Sequence, residues 1–233
     1  MKDHFDAQAY IEALKQLYKK SSNAETAFWM EKYMKNNFKC YGIKKPERDL
    51  IKKDFIIRHG YPPVQETEKV VERLWREPER ELQYFAMDLL YRFRKILNLR
   101  IIELYEKIIT EKSWWDTVDY ISASLVGYYF EIHKSEIQTY TSKWMNSGNM
   151  WLQRSCILYQ LKYKKATDFE LLKNFILQCN TSREFFIQKA IGWALREYSK
   201  TDPFKVAEFV ANNELKPLSR REAMRIIVSR KLI

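Results

Sequence analysis

Apolar residues recur every three to four positions through almost every segment longer than ten residues of this 233-residue chain. In the stretch 185–195, FFIQKAIGWAL, they cover most of a helical circumference. A period near 3.6 residues is typical of an α-helix, and a wide apolar stripe is typical of a helix buried on most sides. No segment shows a convincing strand alternation. The pattern therefore predicts an all-α protein of about thirteen helices.

Several helix starts are marked by their residues. Pro46 and Pro78 are each followed by Glu-Arg, which favours a first helical turn because proline has no hydrogen bond to lose there and the helix dipole favours an acid. Ser182 and Ser219 precede apolar runs and are candidate N-caps, and Asp202-Pro203 opens another helix. Gly and Pro are scarce, at 5 and 6 residues, so the chain has few residues that would punctuate strands.

One helical position repeats along the chain. Steps of 35 residues from Tyr84 lead to Asp119, Arg154 and Lys189, each with an apolar or small residue two positions before it, and PERDL at 46–50 recurs as PEREL at 78–82. Helix pairs with such a period form an α-solenoid. We therefore predict one domain over residues 1–233, built from HEAT-like helix pairs and curved around a basic concave groove with these four positions along one wall. The alternative is a chance spacing among frequent charged residues.

The charge balance points to a polyanionic partner. Lys and Arg number 41 against 30 Asp and Glu, which gives a net charge of +11. Nucleic acid fits this balance, as does an anionic membrane surface or simply a solvated basic face. No apolar run approaches the roughly 20 residues of a membrane span, and the basic residues form no single amphipathic segment. No membrane partner is expected, and no apolar stretch follows residues 1–4 to suggest a secretory signal.

Cysteine and histidine spacing predicts no metal site. The three cysteines and three histidines are scattered without metal-ligand spacing, which favours reduced thiols in a cytoplasm and surface or structural imidazoles (Cys40, Cys156, Cys179; His4, His59, His133). Neither a zinc site nor a Cys/His nucleophile pair is supported by this pattern.

Asp119 is the one carboxylate in a row that is otherwise basic or aromatic. Trp115 lies four residues before it, and Trp193 lies four residues after Lys189, so each indole shares a helical face with a residue of the row. Electron-rich rings and a carboxylate together suit a cationic guest. The plainer alternatives are that the tryptophans pack between repeats, that Asp119 pairs with Arg154, and that the cations are solvated.

A cationic group within a polyanion would explain both the basic surroundings and the single carboxylate, Asp119. DNA that carries an alkylated base is such a guest. Alkylation of a purine ring nitrogen makes the base positively charged and weakens its bond to the sugar, and hydrolysis passes through a positive, oxocarbenium-like sugar. A carboxylate about 4 Å away contributes about 4 kcal/mol at an effective dielectric near 20, or roughly a thousandfold in rate. The same carboxylate could hold the attacking water. Lys and Arg would hold phosphates.

These residues resemble a known family. The motifs are SWWDTVD at 113–119 and EFFIQKAIGWALREY at 184–198, supported by shorter matches at 33–36 (YMKN), 151–154 (WLQR), 212–215 (NNEL) and 217–219 (PLS). Over nearly the whole chain they resemble the AlkD branch of bacterial DNA alkylation repair enzymes, which are HEAT-like repeat DNA glycosylases. A HEAT pattern alone would not be specific, whereas the first two motifs at this spacing are.

The resemblance implies excision of cationic alkylpurines, of the 3-methyladenine and 7-methylguanine type, from duplex DNA during base excision repair. It implies no metal or organic cofactor. We also expect the protein to be a monomer. Asp119 matches the catalytic carboxylate, Trp115 and Trp193 match the paired tryptophans, Arg154 matches a DNA-contacting arginine, and Tyr33 matches a tyrosine near the DNA. The family is thought to leave the lesion stacked, unlike glycosylases that flip the base.

Lys189, and Lys35 beside Tyr33, complete the expected DNA contacts. We expect a bacterial cytoplasmic protein, associated with the nucleoid when it binds DNA. Two other functions stay open: a non-catalytic nucleic-acid-binding solenoid, and a protein-interaction scaffold. The first would bind DNA tightly without releasing base, and the second would present an apolar groove and bind DNA weakly.

Overall fold

The computed structural model describes residues 5–232, which divide between Leu99 and Arg100 into two compact units. Within these residues the regular structure is helical, apart from one isolated parallel bridge between Lys39 and Glu79. The described residues form fourteen α-helical segments, of which Trp115–Tyr120 and Gly127–Ile132 are joined by the π-helical stretch Ile121–Val126, so that thirteen separate helices result. The predicted all-α class is confirmed, while the single domain over 1–233 stays a prediction.

Over its described residues, 5–99, the first unit contains five α-helices and one short 3-10 turn, Val64–Glu66. Helix α1 packs on α3 and α4, and α4 packs on α5. The helices are α1 Ala7–Lys20, α2 Ala24–Tyr33, α3 Lys45–His59, α4 Thr67–Arg76 and α5 Arg80–Phe93.

The second unit stacks its helices in pairs, as predicted for a HEAT-like array. One row consists of α7–α8, α10, α12 and α14, each packed on the next, and α9, α11 and α13 pack against this row. Asp119, Arg154 and Lys189 lie on successive members of the row, so the 35-residue period matches one helix pair. The elements are α6 Ile101–Thr110, α7 Trp115–Tyr120, the π-helix Ile121–Val126, α8 Gly127–Ile132, α9 Glu136–Asn146, α10 Met150–Leu158, a 3-10 turn Lys164–Ala166, α11 Phe169–Cys179, α12 Phe185–Tyr198, α13 Pro203–Asn212 and α14 Pro217–Arg230.

Two of the marked helix starts are confirmed. Pro46 lies in the first turn of α3, and Asp202 caps α13 by accepting a hydrogen bond from the amide of Lys205 at 3.0 Å. Pro78 lies just outside its helix, since α5 begins at Arg80.

Neither serine is an N-cap. Ser182 precedes the N-cap of α12, Glu184, and accepts a hydrogen bond from the Glu184 amide. Ser219 lies inside α14, which begins two residues earlier at a proline, and its hydroxyl donates to the Gln188 carbonyl of α12 at 3.0 Å. The predictions for Ser182 and Ser219 were wrong because proline starts α14 earlier and tertiary packing uses the Ser219 hydroxyl.

The segment that follows α2 is held by a buried carboxylate. Glu81 of α5 accepts hydrogen bonds from the amides of Tyr41, Gly42 and Ile43 at 3.0–3.1 Å, and its side chain is inaccessible to solvent. Gly42 has φ of 84°, and a Cβ there would lie 2.1 Å from the Asn23 carbonyl oxygen, so α2 lies directly against this segment. Through these three hydrogen bonds Glu81 holds residues 41–43, and α2 packs against that segment.

Glu81→Gln is expected to lower the free energy of unfolding by about 2 kcal/mol. The neutral amide loses the charge that strengthens three hydrogen bonds, and one end of it presents a donor to a backbone donor. Urea unfolding measures the effect. Glu12→Gln, on an exposed side chain of α1, is the control and should change the unfolding free energy by less than about 0.5 kcal/mol. An equal effect of the two substitutions would contradict the role given to Glu81.

Within residues 5–232, no helix is both long and apolar enough to cross a membrane. His4 lies outside the described residues, whereas His59 stacks on Phe55 and His133 packs against Tyr129, each at 4.7 Å between ring centroids. The same residues contain no group of three side chains placed to hold a metal ion.

Candidate functional site

Asp119 and Arg154 form a two-pronged ion pair between α7 and α10. Arg154 Nε lies 2.7 Å from Asp119 Oδ1, and Nη2 lies 2.8 Å from Oδ2. Such parallel bonds fix the carboxylate plane as well as its position. The pairing that the sequence left open as an alternative is therefore present.

The pair is unequally exposed. The Asp119 side chain keeps 16% of its surface accessible, whereas the Arg154 side chain keeps 4%. Burial raises the pKa of Asp119 above its usual value, the hydrogen bonds and positive charge of Arg154 oppose this rise, and the nearby Asp116 adds to it. A ligand that approaches from solvent therefore meets the carboxylate before the guanidinium.

A third contact orients Arg154. Its Nη1 donates to the backbone carbonyl of Phe186, at the start of α12, and the guanidinium carbon lies 5.9 Å from the Phe186 ring centroid. This ring packs on Trp114 and Trp151 at 5.1 and 5.0 Å. The aromatic cluster (Trp114, Trp151, Phe186) thus adjoins the pair, and it links the helices that carry Asp119 and Arg154 to α12.

Two serines hold α7 and α10 in register. The Ser122 hydroxyl oxygen lies 2.6 Å from the Val118 carbonyl oxygen and 2.8 Å from the Ser155 hydroxyl oxygen, and the Ser155 hydroxyl oxygen lies 2.9 Å from the Trp151 carbonyl oxygen. Ser122 is the second residue of the π-helical stretch, whose hydrogen bonds span five residues instead of four. Both serines are completely buried, so this register is fixed inside the unit.

The tryptophans of the predicted site lie on the expected helices. Trp115 is the first residue of α7 and follows the extended backbone of Trp114, and it shares a helical face with Asp119 one turn later. Trp193 lies in the middle of α12. Both side chains are half-buried, so each leaves part of its ring accessible.

Lys189 lies on α12 but is paired with an acid that was not predicted from the sequence. Its Nζ lies 2.9 Å from Glu222 Oε1 of α14, and Arg196 Nη1 contacts the other oxygen of Glu222. Glu222 escaped notice because it lies 33 residues after Lys189, two short of the period. The presence of a base at 154 and 189 could have prompted a search for acids on both neighbouring helices.

Tyr33 and Lys35 lie in the first unit, at the end of α2. Tyr33 is 68% exposed, and Lys35 is exposed with a left-handed φ of 58°. No residue of α2 is buried, and Phe28 and Trp29 are more than half exposed. Lys32 Nζ lies 5.1 Å from the Trp29 ring. Phe28 and Trp29 were not predicted from the sequence, although exposed apolar residues beside Lys32 and Lys35 are a recognisable signal.

Three comparisons bear on this arrangement. Residues 14–227 match a protein family described as DNA alkylation repair enzyme. A solved structure from Enterococcus faecalis, described as a predicted DNA alkylation repair enzyme, is similar with a TM-score of 0.81 and 35% sequence identity, over 88% of this chain and 95% of that one. No curated protein matches the chain.

Proposed function

The chain belongs to the DNA alkylation repair enzymes, and we propose that within this family it is a monofunctional DNA glycosylase. Its substrate would be duplex DNA that carries cationic alkylpurines of the 3-methyladenine or 7-methylguanine type, and its reaction the hydrolysis of the N-glycosidic bond. The observation that carries the proposal is the fixed, partly accessible carboxylate of Asp119, which shares a helical face with Trp115.

The unequal exposure of the pair decides whether Asp119 can stabilise a cation. A positive sugar about 4 Å beyond the carboxylate would lie about 8 Å from the guanidinium, so an attraction of about 4 kcal/mol is opposed by about 2 kcal/mol at an effective dielectric near 20. The net 2 kcal/mol is roughly thirtyfold in rate. Because Arg154 holds the carboxylate in place beforehand, little reorganisation is needed when the charge develops. Asp119 can also orient the attacking water.

The other residues have supporting roles in this proposal. Trp115 and Trp193 would place partly accessible rings beside the cationic base. Lys189, Tyr33 and Lys35 would contact the DNA backbone. A contact between Arg154 and DNA stays a prediction. Because the Arg154 side chain is buried, its main proposed role is to hold Asp119 in place.

We propose that the protein acts as a monomer in the bacterial cytoplasm, where its cysteine thiols stay reduced.

The glycosylase proposal is tested by incubating the protein with duplex DNA that carries 7-methylguanine and measuring the released base by chromatography. Absence of release from this duplex and from one carrying 3-methyladenine would exclude the glycosylase. The main alternative is a non-catalytic DNA-binding protein in which the Asp119–Arg154 pair is structural, and it predicts tight binding without base release.

Base release is expected to depend on the ionisation of Asp119. Burial raises the pKa of this carboxyl, so activity should be full well above the raised pKa and should fall as the pH drops through it. The acid limb should therefore lie at a higher pH than an ordinary aspartate would give. Single-turnover rates of 7-methylguanine release from duplex DNA, measured as a function of pH, test this prediction. An acid limb at or below the usual aspartate range would contradict it.

A further inference from the structure

Glu222 is the one acid on α14 that faces two cations of α12 in the described part of the chain. Its oxygens contact Lys189 and Arg196, which lie seven residues apart on the same side of α12, with Trp193 between them on that side. Hydrogen bonding to Lys189 is the main cause that lowers the pKa of Glu222, so the carboxyl stays ionised. The three side chains carry a combined charge of +1.

The backbone places Glu222 there by close packing. A Cβ at Gly192 would lie 2.5 Å from the Glu222 Cβ and 3.0 Å from the Ser219 carbonyl oxygen. Helices α12 and α14 form the most extensive helix contact of the described chain, and the Ser219 hydroxyl donates to the Gln188 carbonyl beside Lys189. The Glu222 side chain is 13% exposed, whereas that of Lys189 is 38% exposed. The acid is therefore built into the helix contact, and the cation is the accessible group.

We propose that Glu222 determines specificity by competing with DNA phosphates for Lys189 and Arg196, which keeps binding to undamaged DNA weak. The inference rests on the proposed DNA glycosylase function. With Glu222 in place, a phosphate at this position meets a net charge of +1, and without it the charge is +2. Non-specific binding depends on the number of phosphates neutralised, whereas attraction of the cationic lesion depends on the Asp119 carboxylate of α7. Because the Glu222 carboxylate contacts Lys189 and Arg196, it restrains non-specific binding.

The test is the salt dependence of binding to an undamaged duplex. For Glu222→Gln, the slope of log K against log salt should steepen by about one unit, as expected for one more phosphate neutralised. The affinity gain over the parent should then shrink about fourfold between roughly 50 and 200 mM salt. Glu170→Gln is the matched control, because it removes the same charge from an exposed residue of α11 whose partner is Lys173. Its slope should equal that of the parent.

A Glu222→Gln slope equal to that of the parent, a flatter one, or a steepening matched by Glu170→Gln would each overturn the inference. If Glu222→Gln does not fold, Lys189→Met provides the test, since its slope should flatten by about one unit and an unchanged slope would overturn the inference. Base release is measured on the same preparations. If the unsubstituted protein binds DNA but releases no base, the glycosylase proposal is refuted and the role of Glu222 is unaffected. The role of Glu222 is decided by the slopes of log K against log salt alone.

Discussion

Asp119→Asn is expected to lower the rate of base release about a thousandfold. The substitution removes the attraction of about 4 kcal/mol between the carboxylate and the developing positive charge, and each 1.36 kcal/mol is a factor of about ten. It also leaves the Arg154 guanidinium as the nearest charge, so the site changes from attracting a cation to repelling one. Single-turnover release of 7-methylguanine measures the rate constant directly.

A second variant separates this mechanism from simple damage to the site. In Asp119→Asn/Arg154→Met both charges are gone, so only the net 2 kcal/mol of the pair is lost, and the rate should fall roughly thirtyfold. The double variant should thus be faster than Asp119→Asn alone. Glu170→Gln should match the parent, and circular dichroism checks that each variant is folded. Equal rates for the single and the double variant would contradict the electrostatic role of Asp119.

The helical class and the row of equivalent positions could be predicted because both depend on local periodicity. A 3.6-residue apolar period is visible in the chain itself, and the 35-residue step placed Asp119, Arg154 and Lys189 on successive stacked helices. The contact between Asp119 and Arg154 was foreseen as one of two possibilities. Spacing could not choose between them, since a solvated pair and a buried pair have the same sequence.

Features that depend on helix packing were not predictable. Glu222 lies 33 residues after Lys189 because α14 begins at Pro217 and is shifted relative to the repeat. The Phe186 carbonyl that holds Arg154 is a backbone group, so no residue type marks it. The hydroxyl of Ser219 looked like a cap in the sequence but serves the contact between α12 and α14. Each of these depends on the approach of two helices, which a single sequence does not encode locally.

Arg154→Met is expected to lower the free energy of unfolding by about 3 kcal/mol at neutral pH, because it leaves a largely buried carboxylate without its partner. The penalty should shrink as the pH falls. With Arg154 gone, nothing opposes the effect of burial, so the pKa of Asp119 rises further above its unfolded value. A raised carboxyl pKa destabilises the fold above the unfolded pKa, and this cost disappears once Asp119 is protonated. Urea unfolding at about pH 7.5 and about pH 5 measures both effects.

The matched comparison is Asp119→Leu/Arg154→Met, which removes both charges and replaces them with apolar groups. This double variant should recover most of the stability lost in Arg154→Met, since replacing a buried pair with packed apolar side chains is often neutral. It should also show no extra pH dependence between the two conditions, because no buried carboxyl remains to titrate at that position. A penalty in Arg154→Met that is the same at both pH values would mean that lost packing, and not the unpaired Asp119 carboxylate, destabilises the fold. In that case the arginine would act as a spacer between α7, α10 and α12, and the orientation of Asp119 would depend on the Ser122–Ser155 contact instead.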